Sequence, residues 1–190
     1  MIEPWTILSS EKAFEHRWYQ LRRDIVRLPD GRIIDDYFVS VRPNVALVVP
    51  IESDGSVVLV RQYKHGIQKI TLEFPAGTFR SEDPANAAAR ELEEETGYVP
   101  GELTKLGECF DDSSKNSNLV HMFLARDCTP VGKRKLDDLE AAAGLEVVLM
   151  SLAEVAEALD NGTIASMSSV AAGYRALRRL ESDSVAGFPQ

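Results

Sequence analysis

The stretch from Gly77 to Tyr98, GTFRSEDPANAAARELEEETGY, constrains this chain more tightly than any other. Asp83 places an N-capping carboxylate ahead of Pro84, a proline at the first helical position, and Gly97 offers the left-handed residue that ends a helix. This punctuation predicts a helix over Pro84–Thr96. At about 100° per residue, Ala85, Ala88, Ala89 and Leu92 fall on one narrow apolar stripe whose small side chains suit close packing on a sheet. Glu91, Glu94 and Glu95, at i, i+3 and i+4, gather on an edge beside that stripe.

Like charges at this spacing cost a helix about 0.2–0.5 kcal/mol per pair, and only Arg90 offers local relief. A run of acids is ordinarily a solvated helix face. Here the clustering asks for a cation. Carboxylates with room for water are what a hard divalent ion takes, and magnesium uses few of them when phosphates supply the other oxygens. The edge reads as a Mg²⁺ site for a phosphate-containing substrate, with Mn²⁺ as a substitute.

Gly77, Glu82, Arg90-Glu91-Leu92, Glu94-Glu95 and Gly97-Tyr98 together resemble the Nudix box. That pattern is a glycine, five residues, a glutamate, seven residues, then Arg-Glu-aliphatic-x-Glu-Glu-x-Gly-aliphatic. The seven-residue spacing from Glu82 to Arg90 matches, as does every fixed position from Arg90 to Gly97. Four residues rather than five separate Gly77 from Glu82, which leaves Asp83 as an alternative to Glu82, and Tyr98 replaces the aliphatic residue.

With 190 residues the chain has room for one domain, or one domain and an arm. A net charge of −9 argues against a nucleic-acid surface, which needs a basic face. Cys109 and Cys128 are too few for a disulfide framework and lack metal-ligand spacing, as expected of thiols in a reducing cytoplasm. No run approaches the ~18 apolar residues of a membrane span, and the first residues show no signal-peptide pattern. The expectation is a soluble cytoplasmic protein without a membrane partner.

Arg17 to Val41 reads as a hairpin around Leu28-Pro29-Asp30-Gly31. Asn44–Ile51 and Val57–Tyr63 read as strands buried on both faces, and Leu103–Phe110, Leu119–Ala125 and Leu145–Met150 as further strands. Asp111 to Asn118 is a polar loop placed to close over a site. Arg126 to Gly144 is a charged loop. Ser151-Leu152-Ala153-Glu154 is a capping box opening a helix that closes at Asn161-Gly162. A last helix, about Ser169 to Leu180, offers Val170, Tyr174, Leu177 and Leu180 as its buried face, with Glu181–Gln190 a frayed tail. The fold class is α+β, a mixed β-sheet sandwiched between α-helices. Residues 1–42 form an antiparallel β arm and residues 43–190 the main domain.

The Nudix resemblance extends this reading. Arg61-Gln62-Tyr63 and Glu73-Phe74-Pro75-Ala76-Gly77 resemble segments that precede the box in the family's ADP-ribose pyrophosphatase and nucleoside-diphosphate-sugar hydrolase branch. The resemblance implies hydrolysis of the pyrophosphate of a nucleoside diphosphate, ADP-ribose first, with GDP-mannose or another nucleotide sugar as the alternative. It places the metal on Glu91, Glu94, Glu95 and the Ala76 carbonyl, and the substrate at Arg61, Tyr63, Glu73 and Gly77, although Tyr63 alone reads equally well as core. Arg90 would aim the glutamates. Glu140 is the candidate base, with Asp137 and Asp138 as alternatives. In that branch the N-terminal arm packs on a partner subunit, so a homodimer is expected, against an arm folded back on its own domain. A sensor that binds without turnover is the reading from outside the enzyme class.

Overall fold

The computed structural model describes residues 1–136 and 138–186. The strands are β1 (Thr6–His16), β2 (Tyr19–Arg27), β3 (Ile33–Ser40), β4 (Asn44–Glu52), β5 (Val57–Lys64), β6 (Lys69–Glu73), β7 (Ala76–Phe79), β8 (Tyr98–Val99), β9 (Glu102–Phe110), β10 (Leu119–Pro130) and β11 (Glu146–Met150). The helices are α1 (Pro84–Thr96), α2 (Asp138–Ala143), α3 (Leu152–Asp160) and α4 (Met167–Ala186). The chain forms two compact units. One is Met1–Pro43 with Phe110–Leu119; the other is Asn44–Cys109 with the described residues from Val120 on.

The first unit is a three-stranded antiparallel sheet in the order β1-β2-β3. Strand β1 lies in a stretch that carries no turn signal of the kind that marks the β2–β3 hairpin, and all eleven of its residues are exposed. The polar loop after β9 is bonded to this sheet. Ser40 N–H donates to Lys115 O at 2.7 Å, Ser117 N–H to Ser40 O at 3.1 Å, and Tyr37 Oη to Ser114 O at 2.7 Å.

The second unit is built on an eight-stranded sheet with the path β11-β5-β4-β10-β8, to which β6 adds at β5, β7 at β4 and β9 at β10. The sheet is mixed: β10 runs parallel to β4 while β5 and β7 run antiparallel to it. Strand β4 shows why both faces must be covered. Leu47, Val49 and Ile51 enter one apolar cluster with Val155, Ala158 and Leu159 of α3 and Ala172 and Ala176 of α4. Ala46 and Val48 enter another with Ala87, Ala88 and Leu92 of α1. The two-residue period of a strand separates the sets, and each fully buried Val or Leu contributes about 1.5–3 kcal/mol.

Several expected boundaries move. Strand β10 runs on to Pro130, so the charged loop begins later, and six of its residues form α2. The last helix continues through Glu181 to Ala186, where a frayed tail was expected. Val170, Leu177 and Leu180 pack against the core as expected, but the fully buried centre of the face is Ala172, Gly173 and Ala176, and Tyr174 is 45% exposed. The cause is close approach: a methyl on Gly173 would stand 2.8 Å from Leu159 Cδ1 and 3.1 Å from Phe74 Cε2. Among the described residues no helix is long and apolar enough to cross a membrane.

Candidate active site

Helix α1 is held at both ends by the residues its sequence punctuation marks. Asp83 Oδ1 accepts from Ala85 N–H at 2.9 Å and Asn86 N–H at 3.3 Å, and Pro84 follows at the first turn. At the other end Gly97, at φ 76°, donates its N–H to Glu93 O at 2.8 Å. The helix is thus fixed in length and phase, which fixes where its carboxylates point.

The phase differs from the expected stripe. The buried residues of α1 are Ala87, Ala88, Glu91, Leu92, Glu95 and Thr96, so the packed face is rotated toward the acids, and Ala85 and Ala89 are only half-buried. Glu91 and Glu95 lie on the packed face itself, at 8% and 3% exposure. Charges so placed survive only with partners and room. Gly77 supplies the room: a methyl there would stand 2.0 Å from Glu91 Cδ. Gly77, expected at the substrate, is therefore a seat for a carboxylate. Ala76 N–H on the same strand, β7, donates to Glu95 Oε2 at 3.1 Å.

Arg90 is the counter-ion of Glu91. Its Nε and Nη2 each stand 3.2 Å from Glu82 Oε2, while Nη1 reaches Glu91 Oε1 at 2.8 Å and Glu94 Oε2 at 2.7 Å. Partial burial works against the guanidinium's charge. The hydrogen bond to Glu82, the Glu91 charge and the bond to Glu94 outweigh it and hold Arg90 well above its ordinary pKa. Glu82, not the capping Asp83, receives the arginine despite the shortened loop. Tyr98 also finds a partner, donating to Glu52 Oε1 at 3.2 Å; burial and then the Glu52 charge push its phenol up.

Among the described residues no three acidic, histidine or cysteine side chains are grouped closely enough to cage a metal ion. With Nη1 bridging Glu91 and Glu94, a cation already sits among these oxygens. The donor set nevertheless fits a hard divalent ion, which accepts carboxylate oxygens and keeps several waters.

The remaining candidates are placed as follows. Arg61 on β5 stands beside Glu146 of β11, with Nη1 3.4 Å from Glu146 Oε2. Tyr63 is 45% exposed with its hydroxyl 3.4 Å from His65 Nδ1, so it is not a core residue. Both continue the strand row of Val57 and Leu59, which faces α3 and α4, whereas Glu73 is paired with Val60 in the opposite row and bonded to Lys64 Nζ at 3.2 Å. Arg61 and Tyr63 therefore lie on the strand row opposite to that of Glu73. Asp137 and the side chain of Glu140 lie outside the described residues. The segment leading to α2 is tied to α1, with Val131 N–H donating to Gly97 O at 2.8 Å and Lys135 N–H to Glu94 O at 2.9 Å. Neither Lys135 nor Glu146 carried a signal in the sequence, because each acts through a strand or loop neighbour remote in the chain.

Fold and helix define the class, and the comparisons agree. Residues 41–168 match the model of the NUDIX domain and residues 5–40 that of the nucleoside diphosphate sugar hydrolase N-terminal domain, so the chain belongs to the Nudix family, whose hydrolases generally use divalent metals. It is 31% identical over 161 residues to the ADP-ribose pyrophosphatase of Bacillus subtilis (strain 168), covering 82% of this chain and 86% of that one. It is 30% identical over 166 residues to the ADP-ribose pyrophosphatase of Mycobacterium tuberculosis (strain ATCC 25618 / H37Rv), 86% of this chain and 79% of the relative. Its fold is shared with the crystal structure of an ADP compounds hydrolase, at a TM-score of 0.84 and 24% identity, covering 96% of this chain and 97% of the other.

Proposed function

We propose that this Nudix protein hydrolyses the pyrophosphate joining a nucleoside to another group, with ADP-ribose giving AMP and ribose 5-phosphate as the leading case. The observation that carries the reading is Arg90 gripping Glu91 and Glu94 of its own helix and Glu82 just before it, with Glu91 and Glu95 buried and Gly77 of β7 leaving space for the Glu91 carboxylate. A binder or a purely structural fold gains nothing from burying repelling acids. The two ADP-ribose pyrophosphatase relatives direct the substrate choice.

Glu91, Glu94, Glu95 and the Ala76 carbonyl would hold Mg²⁺, or Mn²⁺ in its place. When bound, such an ion neutralises phosphate oxygens and makes a bound water more acidic. Arg90, anchored on Glu82, keeps the glutamates aimed. Glu140 takes the proton of the attacking water, with Asp138 and Asp137 as the alternatives on the same segment. Arg61 of β5 takes a phosphate and Tyr63 the base of the substrate beyond the reacting centre.

A nucleotide sugar such as GDP-mannose is the second reading. It is favoured by the match of residues 5–40 to a nucleoside diphosphate sugar hydrolase module. That module, the 1–42 arm, would also serve as the surface of a homodimer, because Trp5 just before β1, with Ile7, Leu8, Phe14 and Trp18 on β1 and its turn, is exposed. The enzyme would work in the cytoplasm, consistent with two free cysteines.

The test is product analysis with Mg²⁺ on ADP-ribose, GDP-mannose, UDP-glucose and NADH. Fastest cleavage of ADP-ribose to AMP and ribose 5-phosphate is expected. Preference for GDP-mannose would move the assignment to the second reading, and tight binding of all four without products would favour a sensor.

A further inference from the structure

Away from the α1 carboxylates, a cavity of about 490 Å³ opens between β9 and α4, lined by Lys105, Leu106, Tyr174, Arg175, Arg178, Arg179 and Ser182. Four of these seven side chains are cations and none is an acid, on a chain whose net charge is −9. What this lining offers an anion is a convergence of charged donors on one face of α4 and the neighbouring strand.

The floor of the groove is built for an arginine. Gly107 lies within β9 at φ 124°, and a methyl on it would stand 2.3 Å from Arg175 Nη1. That guanidinium crosses the strand in the space the glycine leaves and donates to Leu106 O at 3.2 Å. Among the described residues Arg175 pairs with no carboxylate, and its other N–H groups remain for a ligand. The flanking cations do have partners outside the lining: Lys105 with Glu108 at 2.9 Å, Arg178 with Glu181 at 3.8 Å and Arg179 with Asp183 at 3.0 Å. Exposed pairs of this kind are weak and yield readily to a phosphate, which a guanidinium can grip through two parallel bonds.

One wall is aromatic. Tyr174 donates its hydroxyl to Asp160 Oδ1 at 2.5 Å, which pins a half-exposed ring beside the apolar Leu106. A fixed ring next to a cluster of arginines suits a planar base joined to a phosphate, and the cavity is of the size that small ligands occupy.

We propose that this groove is a second anion site, taking a nucleoside monophosphate with its phosphate on Arg175, Arg178 and Arg179 and its base against Tyr174. The site shares no residue with the α1 carboxylates. Its ligand is of the class that the proposed hydrolysis would release, but its existence does not depend on that reaction.

The test is a titration of the full chain with AMP in EDTA, followed by amide NMR, with ribose 5-phosphate and inorganic phosphate as separate arms. Saturable shifts centred on Lys105, Leu106 and residues 174–179 are expected with AMP, with affinity at least tenfold weaker for the other two. Arg178→Glu, which alters a side chain 84% exposed and so leaves the fold intact, should weaken AMP at least tenfold. Shifts confined to residues 76–95, an unchanged affinity in Arg178→Glu, or equal binding of inorganic phosphate would each overturn the proposal. Because no turnover is measured, failure here and failure of the hydrolase reading are distinguishable.

Discussion

Helices α1 and α4 both carry dense charge, and they treat it in opposite ways. In α1 two glutamates lie on the packed face and depend on Arg90, the Ala76 N–H and the bare backbone of Gly77. In α4 the packed face is Ala172, Gly173 and Ala176, while Arg178 and Arg179 point outward to i+3 and i+4 acids. Burying a charge costs several kcal/mol unless geometry repays it, so α1 is the helix whose charges need a reason beyond solubility. The charges of α4 stay in water, where they cost the fold nothing and remain open to a ligand.

This contrast predicts unequal consequences for substitutions that look alike. The largest effect is expected at Gly77→Ala, whose methyl must displace the Glu91 carboxylate. Overpacking of this kind costs about 1–3 kcal/mol, and the displaced glutamate should remove most of the activity; urea unfolding and kcat on ADP-ribose measure the two together. Next comes Arg90→Gln, which leaves Glu82, Glu91 and Glu94 facing one another without their counter-ion. Loss of such a supporting contact typically costs about 10–100-fold in activity or metal affinity, and Arg90→Lys should recover part of it. Asp83→Ala removes only the helix cap, lowering stability by about 0.5–2 kcal/mol with little change in kcat, as thermal unfolding beside a rate assay would show. Arg178→Ala on α4 should leave stability within about 0.5 kcal/mol of wild type. A large loss there would erase the distinction between the two helices.

Much of this was legible in the sequence where local chemistry decides the outcome. Asp83-Pro84 and Gly97 mark the two ends of α1, and the spacing from Glu82 to Gly97 carries the family. The rotation of the packed face toward Glu91 and Glu95 was not legible, because it depends on Gly77 lying under the helix, a contact that forms only when β7 pairs with β4. Strand β1 was missed for a related reason: every residue of it is exposed, so no apolar alternation marks it. In α4 the pattern Val170, Tyr174, Leu177, Leu180 marked a face of which Val170, Leu177 and Leu180 do pack on the core, but its fully buried centre is the small residues Ala172, Gly173 and Ala176, where the helix approaches Phe74 and Leu159, and Tyr174 is left exposed. Glu146 beside Arg61 and Lys135 beside Glu94 are products of sheet register and loop path.

The most direct test of the account is the Glu94→Gln variant, assayed for release of AMP and ribose 5-phosphate from ADP-ribose with Mg²⁺ present and with the metal removed by EDTA. Glu94 is half-buried at the end of the Arg90 network, so the amide should fold as the wild type does. The account predicts that turnover falls by several orders of magnitude in the variant, and that EDTA abolishes the wild-type rate. Wild-type turnover by Glu94→Gln, in protein of verified mass, would contradict the assignment of the α1 edge as the metal-binding centre.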